Sequence, residues 1–150
     1  MRALIQRVSS AAVQINNLPH ASIGHGMLIL LGIADSDRME DVTWLVSRVA
    51  KLRIFADAAG LMNLSLTESG GTVLLVSQFT LLASTKKGNR PSFLRAARPE
   101  QAIPLFEAFR DALARDLNQP VATGVFGADM QVTLTNDGPV TLWLDSAARE

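Results

Sequence analysis

The chain contains no cysteine. Disulfides, thiolate metal sites and a cysteine nucleophile are therefore excluded together, and the composition fits a reducing cytoplasm, where the protein is expected. Tyrosine is also absent, and there are only six Phe and two Trp among 150 residues, so a core must be built from Val, Leu, Ile and Ala. The two histidines, His20 and His25, stand five apart. That is neither helical ligand spacing nor a zinc pattern, and no metal is expected. No apolar run approaches the roughly 20 residues of a membrane span. The amino-terminal stretch is interrupted by Gln6, Arg7 and Ser9-Ser10 and does not read as a signal peptide. Net charge is zero, with 14 basic and 14 acidic residues, so bulk charge selects no partner.

What is present is a folding sequence. Apolar residues make up 48% of the chain, enough for a globule rather than a disordered segment. With no repeat, low-complexity stretch or linker, residues 1–150 read as one domain. The charge, though balanced, is unevenly placed. Between Glu68 and Glu100 there is no acid, while the same stretch holds Lys86, Lys87, Arg90, Arg95 and Arg98. A basic segment in a neutral protein suits either a phosphate partner or an ordinary solvated loop.

Taken in order, Arg2–Val8 and Ala11–Ile15 alternate like strands, with Asn16-Asn17-Leu18-Pro19 as the turn after them. Arg7 stands out, because on a buried face it needs an acceptor; at an edge it needs none. Met27–Ile33 is apolar almost throughout and reads as a strand buried on both faces. Asp35 and Asp37 are placed to cap a helix, whose stripe is Val42, Leu45, Val46, Val49 and Leu52, with Trp44 off the stripe. Arg53-Ile54-Phe55 and Leu64-Ser65-Leu66 are short extended pieces around turns at residues 57–60 and 68–71. Thr72–Leu82 carries the strongest strand signal, yet contains Ser77, Gln78 and Thr80. A buried polar group left unpaired costs about 1–3 kcal/mol, so these three either serve a site or mark a strand end. Pro99-Glu100 opens a second helix, with Ile103, Phe106, Phe109, Arg110, Leu113 and Leu117 as its stripe. Val121–Phe126, Met130–Thr135 and Val140–Asp145 read as strands, and residues 146–150 as a loose tail. The fold class is α/β of the α+β type: a single domain with a mainly antiparallel or mixed sheet, or a barrel-like one, covered by two amphipathic helices.

Asn136-Asp137-Gly138-Pro139-Val140-Thr141 lies between two alternating runs, and Asn-Asp-Gly there signals a tight hairpin. Pro139 spoils the simple version, since it lacks an N–H and restricts Gly138. X-Pro bonds are also where a cis peptide is accessible, at roughly 0.5–1 kcal/mol above trans. A cis bond would aim two successive carbonyls the same way and form a polar edge with no side chain in front of it.

The residues offer little conventional catalytic machinery. Ser77 lacks a Gly-x-Ser-x-Gly elbow, no paired carboxylates accompany the polar strand, and the basic loop lacks P-loop spacing. Any hydrolysis would draw its base from the substrate or the backbone. Three motifs, however, resemble those of the D-aminoacyl-tRNA deacylases: Ser77-Gln78-Phe79-Thr80-Leu81, Lys87-Gly88-Asn89-Arg90-Pro91-Ser92-Phe93, and Asn136-Asp137-Gly138-Pro139-Val140-Thr141. Arg2–Val8 and the chain length are similar too.

The resemblance implies hydrolysis of the ester joining a D-amino acid, or glycine, to the terminal adenosine of tRNA, without metal or organic cofactor. It implies a homodimer in which Gly138-Pro139, as a Gly-cisPro dipeptide, enters the partner subunit's site and excludes L-amino acids. Ser77, Gln78, Phe79 and Thr80 would line that site, Arg7 would orient the Gly-Pro segment, and Met130 would lie near the pocket. Catalysis would rest largely on the substrate's 2′-hydroxyl, with Thr80 a possible direct participant. Steering of tRNA phosphates by Lys86, Lys87, Arg90, Arg95 and Arg98 follows from charge placement alone. Two other classes stay open on the residues: a non-catalytic RNA-binding β-module, and a serine esterase using Ser77.

Overall fold

A computed structural model describes residues 1–149. Its central strand is β1 (Arg2–Ile15). Along one edge β1 pairs antiparallel with β3 (Gly26–Gly32) through Arg2–Val8, and with β2 (Leu18–Ile23) through Ala11–Ile15. Along its other edge runs β8 (Met130–Asp145), also antiparallel. Two parallel pairings then extend the sheet from β3 to β6 (Thr72–Ser77) and from β6 to β7 (Ala122–Thr123). The last strands return toward β2, so the mixed sheet curls nearly into a barrel. Helices α1 (Met39–Ala50) and α3 (Pro99–Leu117) pack together over one face. A short hairpin, β4 (Phe55–Ala56) and β5 (Met62–Leu64), and a one-turn helix α2 (Leu66–Ser69) link α1 to β6.

The two sheet faces bury separate clusters, as strand alternation requires. Ala3, Ile5, Ile29 and Leu75 face the helices, with Phe106 and Phe109. Leu28, Leu74, Val76 and Val13 face the inside of the curl. Both long strands serve both clusters. In β1 the inward set changes from Ala3 and Ile5 on the helix side to Ala11 and Val13 inside the curl, across register shifts between Gln6 and Ser10. In β8, Met130, Val132 and Leu134 line the curl, whereas Val140, Leu142 and Leu144 pack on the helix side. A one-residue slip exchanges the faces of a strand, and here bulges do it on purpose.

This geometry corrects several expectations. The Asn136–Thr141 segment is not a hairpin turn. Both flanking runs pair with β1 in the same direction, so β8 passes straight through Gly138-Pro139, which forms a bulge. The two amino-terminal strands are one for the same reason. Their turn is only Asn16-Asn17, both at positive φ, as a two-residue hairpin demands; Leu18 and Pro19 already belong to β2. Thr72–Leu82 is not one strand, because the chain leaves β6 at Ser77 and makes a 3₁₀ turn at Phe79–Leu82. Val121–Phe126 contracts to the two residues of β7.

Neither Asp35 nor Asp37 caps α1. Asp41 reaches back instead, accepting from the Arg38 N–H at 2.9 Å, while Asp37 is buried against the Met1 ammonium at 2.5 Å. The same ammonium donates to Ser146 at 2.7 Å, so the expected loose tail begins with a buried residue; Glu150 lies outside the described residues. The turn expected at residues 68–71 is preceded by α2, capped by Ser65 and Glu68, a capping box legible as Ser-x-x-Glu. On α3 the buried stripe uses Ala102 and Leu105 rather than Ile103 and Arg110.

Two expected outcomes test this packing. Phe109 is fully buried between α3 and the sheet, so Phe109→Ala should cost about 3–5 kcal/mol in denaturant unfolding. At Asp41 burial pushes the carboxyl up, but the Arg38 N–H, Ser146, the amino-terminal ammonium and Arg149 together hold it below its ordinary value. Its charge therefore stabilises the fold above the unfolded carboxylate value near 3.9, and that contribution is lost as pH falls through the lower folded value. The stability gap between wild type and Asp41→Asn should narrow below about pH 4.

Candidate functional site

Ligand sites in sheets with parallel strands form beyond the carboxyl ends of those strands. Here β3 and β6 end side by side, with Leu31 level with Ser77. A cavity of about 290 Å³ opens there, lined by Ser77, Gln78 and Phe79 together with Met130, Val132 and the residues 126–129. The departure from the sheet has a clear local cause. The Gln78 N–H makes the last bond to β3, to the Leu31 carbonyl at 2.8 Å, and the Leu81 N–H then closes the turn on the Gln78 carbonyl at 3.2 Å. A 3₁₀ turn bonds three residues apart, so the N–H groups of Phe79 and Thr80 have no acceptor within it.

Gly32 makes this turn possible. A Cβ there would lie 2.7 Å from Leu82 Cδ2 and 3.0 Å from the Gln78 carbonyl oxygen. Gly124 makes the corresponding space for Met130, whose Sδ would be 2.5 Å from an added Cβ. Neither glycine was singled out by sequence reasoning, since nothing local marks a close approach from a distant segment.

Of the four residues expected in this site, Ser77, Gln78 and Phe79 line the cavity and Thr80 stands beside it. The Gln78 amide donates to the Thr80 hydroxyl. Phe79 is 56% exposed and meets Phe93 edge to face at 5.0 Å, which ties the basic segment to the site. A second cavity of about 240 Å³ is lined by Lys86, Lys87, Arg90, Arg95, Ser84, Ser92 and Leu94. Arg98 is not among them; it is the residue before α3. His25 sits beside Thr72, at the far end of β6 from Ser77, and makes no dyad with it. Among the described residues no group of three His, Asp or Glu is placed to hold a metal ion.

Gly138-Pro139 is cis, and its surroundings account for its place. The Asn136 side chain accepts from the Val140 N–H at 2.8 Å and donates to the Val140 carbonyl at 3.3 Å. It thereby closes the bulge that Asp137, Gly138 and Pro139 form, a role for Asn136 that sequence reasoning missed. Arg7, left open between a buried face and an edge, has a side chain only 13% exposed and finds acceptors: its Nε donates to the Asp137 carbonyl at 2.9 Å and its Nη1 to the Ile54 carbonyl at 2.5 Å. Within one chain this segment does not reach Ser77. Arg7 lies in the row of Met27 and Val73, and Ser77 in the row of Leu31 and Ala3, four residues or roughly 13 Å along the strands.

Fold and site together define a barrel-like α+β protein with a polar-rimmed cavity at the ends of parallel strands. A solved structure of a c-Myc DNA unwinding element binding protein superposes with a TM-score of 0.93 at 37% identity, covering 99% of this chain and all of that one. A second, described as a "probable eukaryotic D-amino acid tRNA deacylase", gives a TM-score of 0.81 at 17% identity, covering 95% and 97%, and speaks for the fold alone. The chain belongs to the D-Tyr-tRNA(Tyr) deacylase family, whose model matches residues 4–145. Among its relatives, a D-aminoacyl-tRNA deacylase of Akkermansia muciniphila is 60% identical over the full length of both chains. That of Chromobacterium violaceum is 58% identical over 146 residues, 97% of each.

Arg7 supplies a test of the bulge. Arg7→Met leaves the Ile54 and Asp137 carbonyls without their charged donor, and should lower stability by about 1–3 kcal/mol in chemical denaturation. Arg7→Lys should recover only part, because one ammonium cannot reproduce the guanidinium fork.

Proposed function

We propose that this protein is a tRNA-editing hydrolase that cleaves the ester of D-aminoacyl-tRNA, and of glycyl-tRNA, while sparing L-aminoacyl-tRNA. The observation that carries this reading is the 3₁₀ turn at Phe79–Leu82 beside the cavity, within which the N–H groups of Phe79 and Thr80 have no acceptor, in a chain of this family. Water attacks the ester carbonyl, negative charge develops on its oxygen, and the ribose 3′-oxygen leaves with a proton. The N–H groups of Phe79 and Thr80 are suited to stabilise that oxygen, as in an oxyanion hole. No histidine lines the cavity, so the substrate's own 2′-hydroxyl, adjacent to the ester, is assigned to assist the water. Residues 1–150 act as one domain, in the cytoplasm, with no cofactor invoked.

Chiral selection on this reading is steric. Gly138-Pro139 of the partner subunit closes the cavity, its carbonyls accept from the substrate's ammonium, and no room is left for an L side chain. A D side chain points away, and glycine has none to exclude. Two observations support a second copy. Gly138-Pro139 is exposed and lies away from Ser77 in its own chain, and the sheet between them leaves Trp143 47% exposed, next to the half-buried Leu4. Arg7 orients the Gly-Pro segment, and Met130 shapes the cavity. Lys86, Lys87, Arg90 and Arg95 hold tRNA phosphates, with Arg98 farther back.

The test is hydrolysis of matched D- and L-tyrosyl-tRNA by the purified protein with a chelator present. The expected result is rapid loss of the D ester and survival of the L ester. If neither is cleaved while tRNA still binds, the protein is a nucleic-acid-binding module. Trapping of an acyl group on Ser77 would make it a serine esterase. Arg90→Glu with Arg95→Glu should raise KM for tRNA on the order of tenfold at low salt, with a much smaller effect on a minimal aminoacyl-adenosine ester. Gly138→Ala should erode discrimination between D and L esters. At φ +144° its Cβ would meet Val140 Cγ2 at 2.7 Å and the Val140 nitrogen at 2.8 Å, so the segment must shift.

A further inference from the structure

Among the residues lining the cavity beside Ser77, Asp129 alone is ionisable; the others are apolar, glycine, or the neutral polar Ser77 and Gln78. Its place is set by a defined turn. The Ala128 N–H donates to the Val125 carbonyl at 3.2 Å, Gly127 takes a φ of +75°, and β8 begins at Met130 immediately afterwards. Asp129 is exposed and makes no ion pair among the described residues. Water satisfies an exposed carboxylate, but at the edge of an otherwise uncharged cavity Asp129 is the one lining group that can attract a cationic ligand.

The charge on the other side of Phe79 has the opposite sign. Phe79 touches Phe93, and the cavity next to Phe93 is lined by Lys86, Lys87, Arg90 and Arg95. The site is therefore polarised, with one carboxylate at the Ser77 cavity and four cations beyond the aromatic pair. The 3′ end of an aminoacyl-tRNA is polarised in the same sense: an ammonium on the aminoacyl group, then an uncharged nucleoside, then phosphates. We infer that Asp129 is a specificity-determining residue that attracts the substrate's α-ammonium and, with the basic cavity, sets the direction in which the 3′ end enters. This rests on the deacylase reading above. It adds a charge to a recognition otherwise made by backbone carbonyls, and explains why the cavity carries an acid although the ester chemistry does not need one.

The experiment compares two non-hydrolysable analogues of the substrate's end, 3′-amino-3′-deoxyadenosine acylated with D-alanine or with D-lactic acid. They differ only in an ammonium against a hydroxyl. At low salt the wild-type protein should bind the D-alanyl compound about threefold to fivefold more tightly, the range of an exposed ion pair. The preference should shrink at high salt, fall in Asp129→Asn to the remainder supplied by the Gly138-Pro139 carbonyls, and return in Asp129→Glu. A preference that survives undiminished in Asp129→Asn, or none in the wild type, overturns the inference. So does a variant that loses turnover with its binding preference intact, since Asp129 would then act on the water. If wild type binds neither analogue and cleaves no D ester, the deacylase reading itself fails; if it cleaves the ester and shows no preference, only the role of Asp129 falls.

Discussion

The structure turns on the pair of bulges where β1 and β8 change faces together. Two long neighbouring strands each supply one buried set to the helix-covered core and another to the inside of the curl. They can do so only if both register breaks fall at the same level, near Val8 and Asn136. The break in β8 contains a proline, which offers no N–H, and a glycine at positive φ, so this is where the ladder has least to lose. Arg7 and Asn136 take up the backbone groups that the break releases. A segment that satisfies a packing demand is thereby also exposed, rigid and free of large side chains.

The other half of the site has an independent origin. Because β3, β6 and β7 are parallel, their carboxyl ends fall on one side, and a connection leaving β6 has to turn there. Gly32 lets that turn settle on β3. Its tight geometry leaves N–H groups unspent and places Phe79 over the basic loop. The polar residues that look misplaced in the middle of a strand are residues of a strand end. Their cost is small because Ser77 and Gln78 are half-buried and Thr80 is exposed.

Much of this was legible beforehand, and several of the failures share one cause. Amphipathic spacing located α1 and α3, and apolar continuity located β3 and β6, because each rests on contacts repeated along a short stretch. Reading Asn-Asp-Gly as a hairpin failed because the partner of both flanking runs is β1, more than a hundred residues away in sequence. The cap on α1 was misplaced because Asp37 is held by the Met1 ammonium, another distant partner. Gly32 and Gly124 were passed over for the same reason. In the site, the three motifs were found, and the resemblance already implied that Gly138-Pro139 serves the partner subunit's site rather than its own. Sequence order alone cannot show that Arg7, which holds the Gly138-Pro139 segment, lies four strand residues from the level of Ser77.

That separation bears on how chirality can be sensed at all. A site built from one continuous wall can bind an amino acid by its ammonium and carbonyl without opposing either hand, since both enantiomers present those groups. Discrimination needs a third direction, fixed relative to the other two. On the proposed reading it is the Gly138-Pro139 edge of the partner subunit. That edge senses handedness only as well as it is held, and its holders, Arg7 and Asn136, are bonded to the backbone on both sides of the bulge. Backbone atoms rather than side chains then form the rejecting surface. They do not rearrange among rotamers, so an L side chain meets the same obstacle whatever its chemistry, and a D side chain is not read.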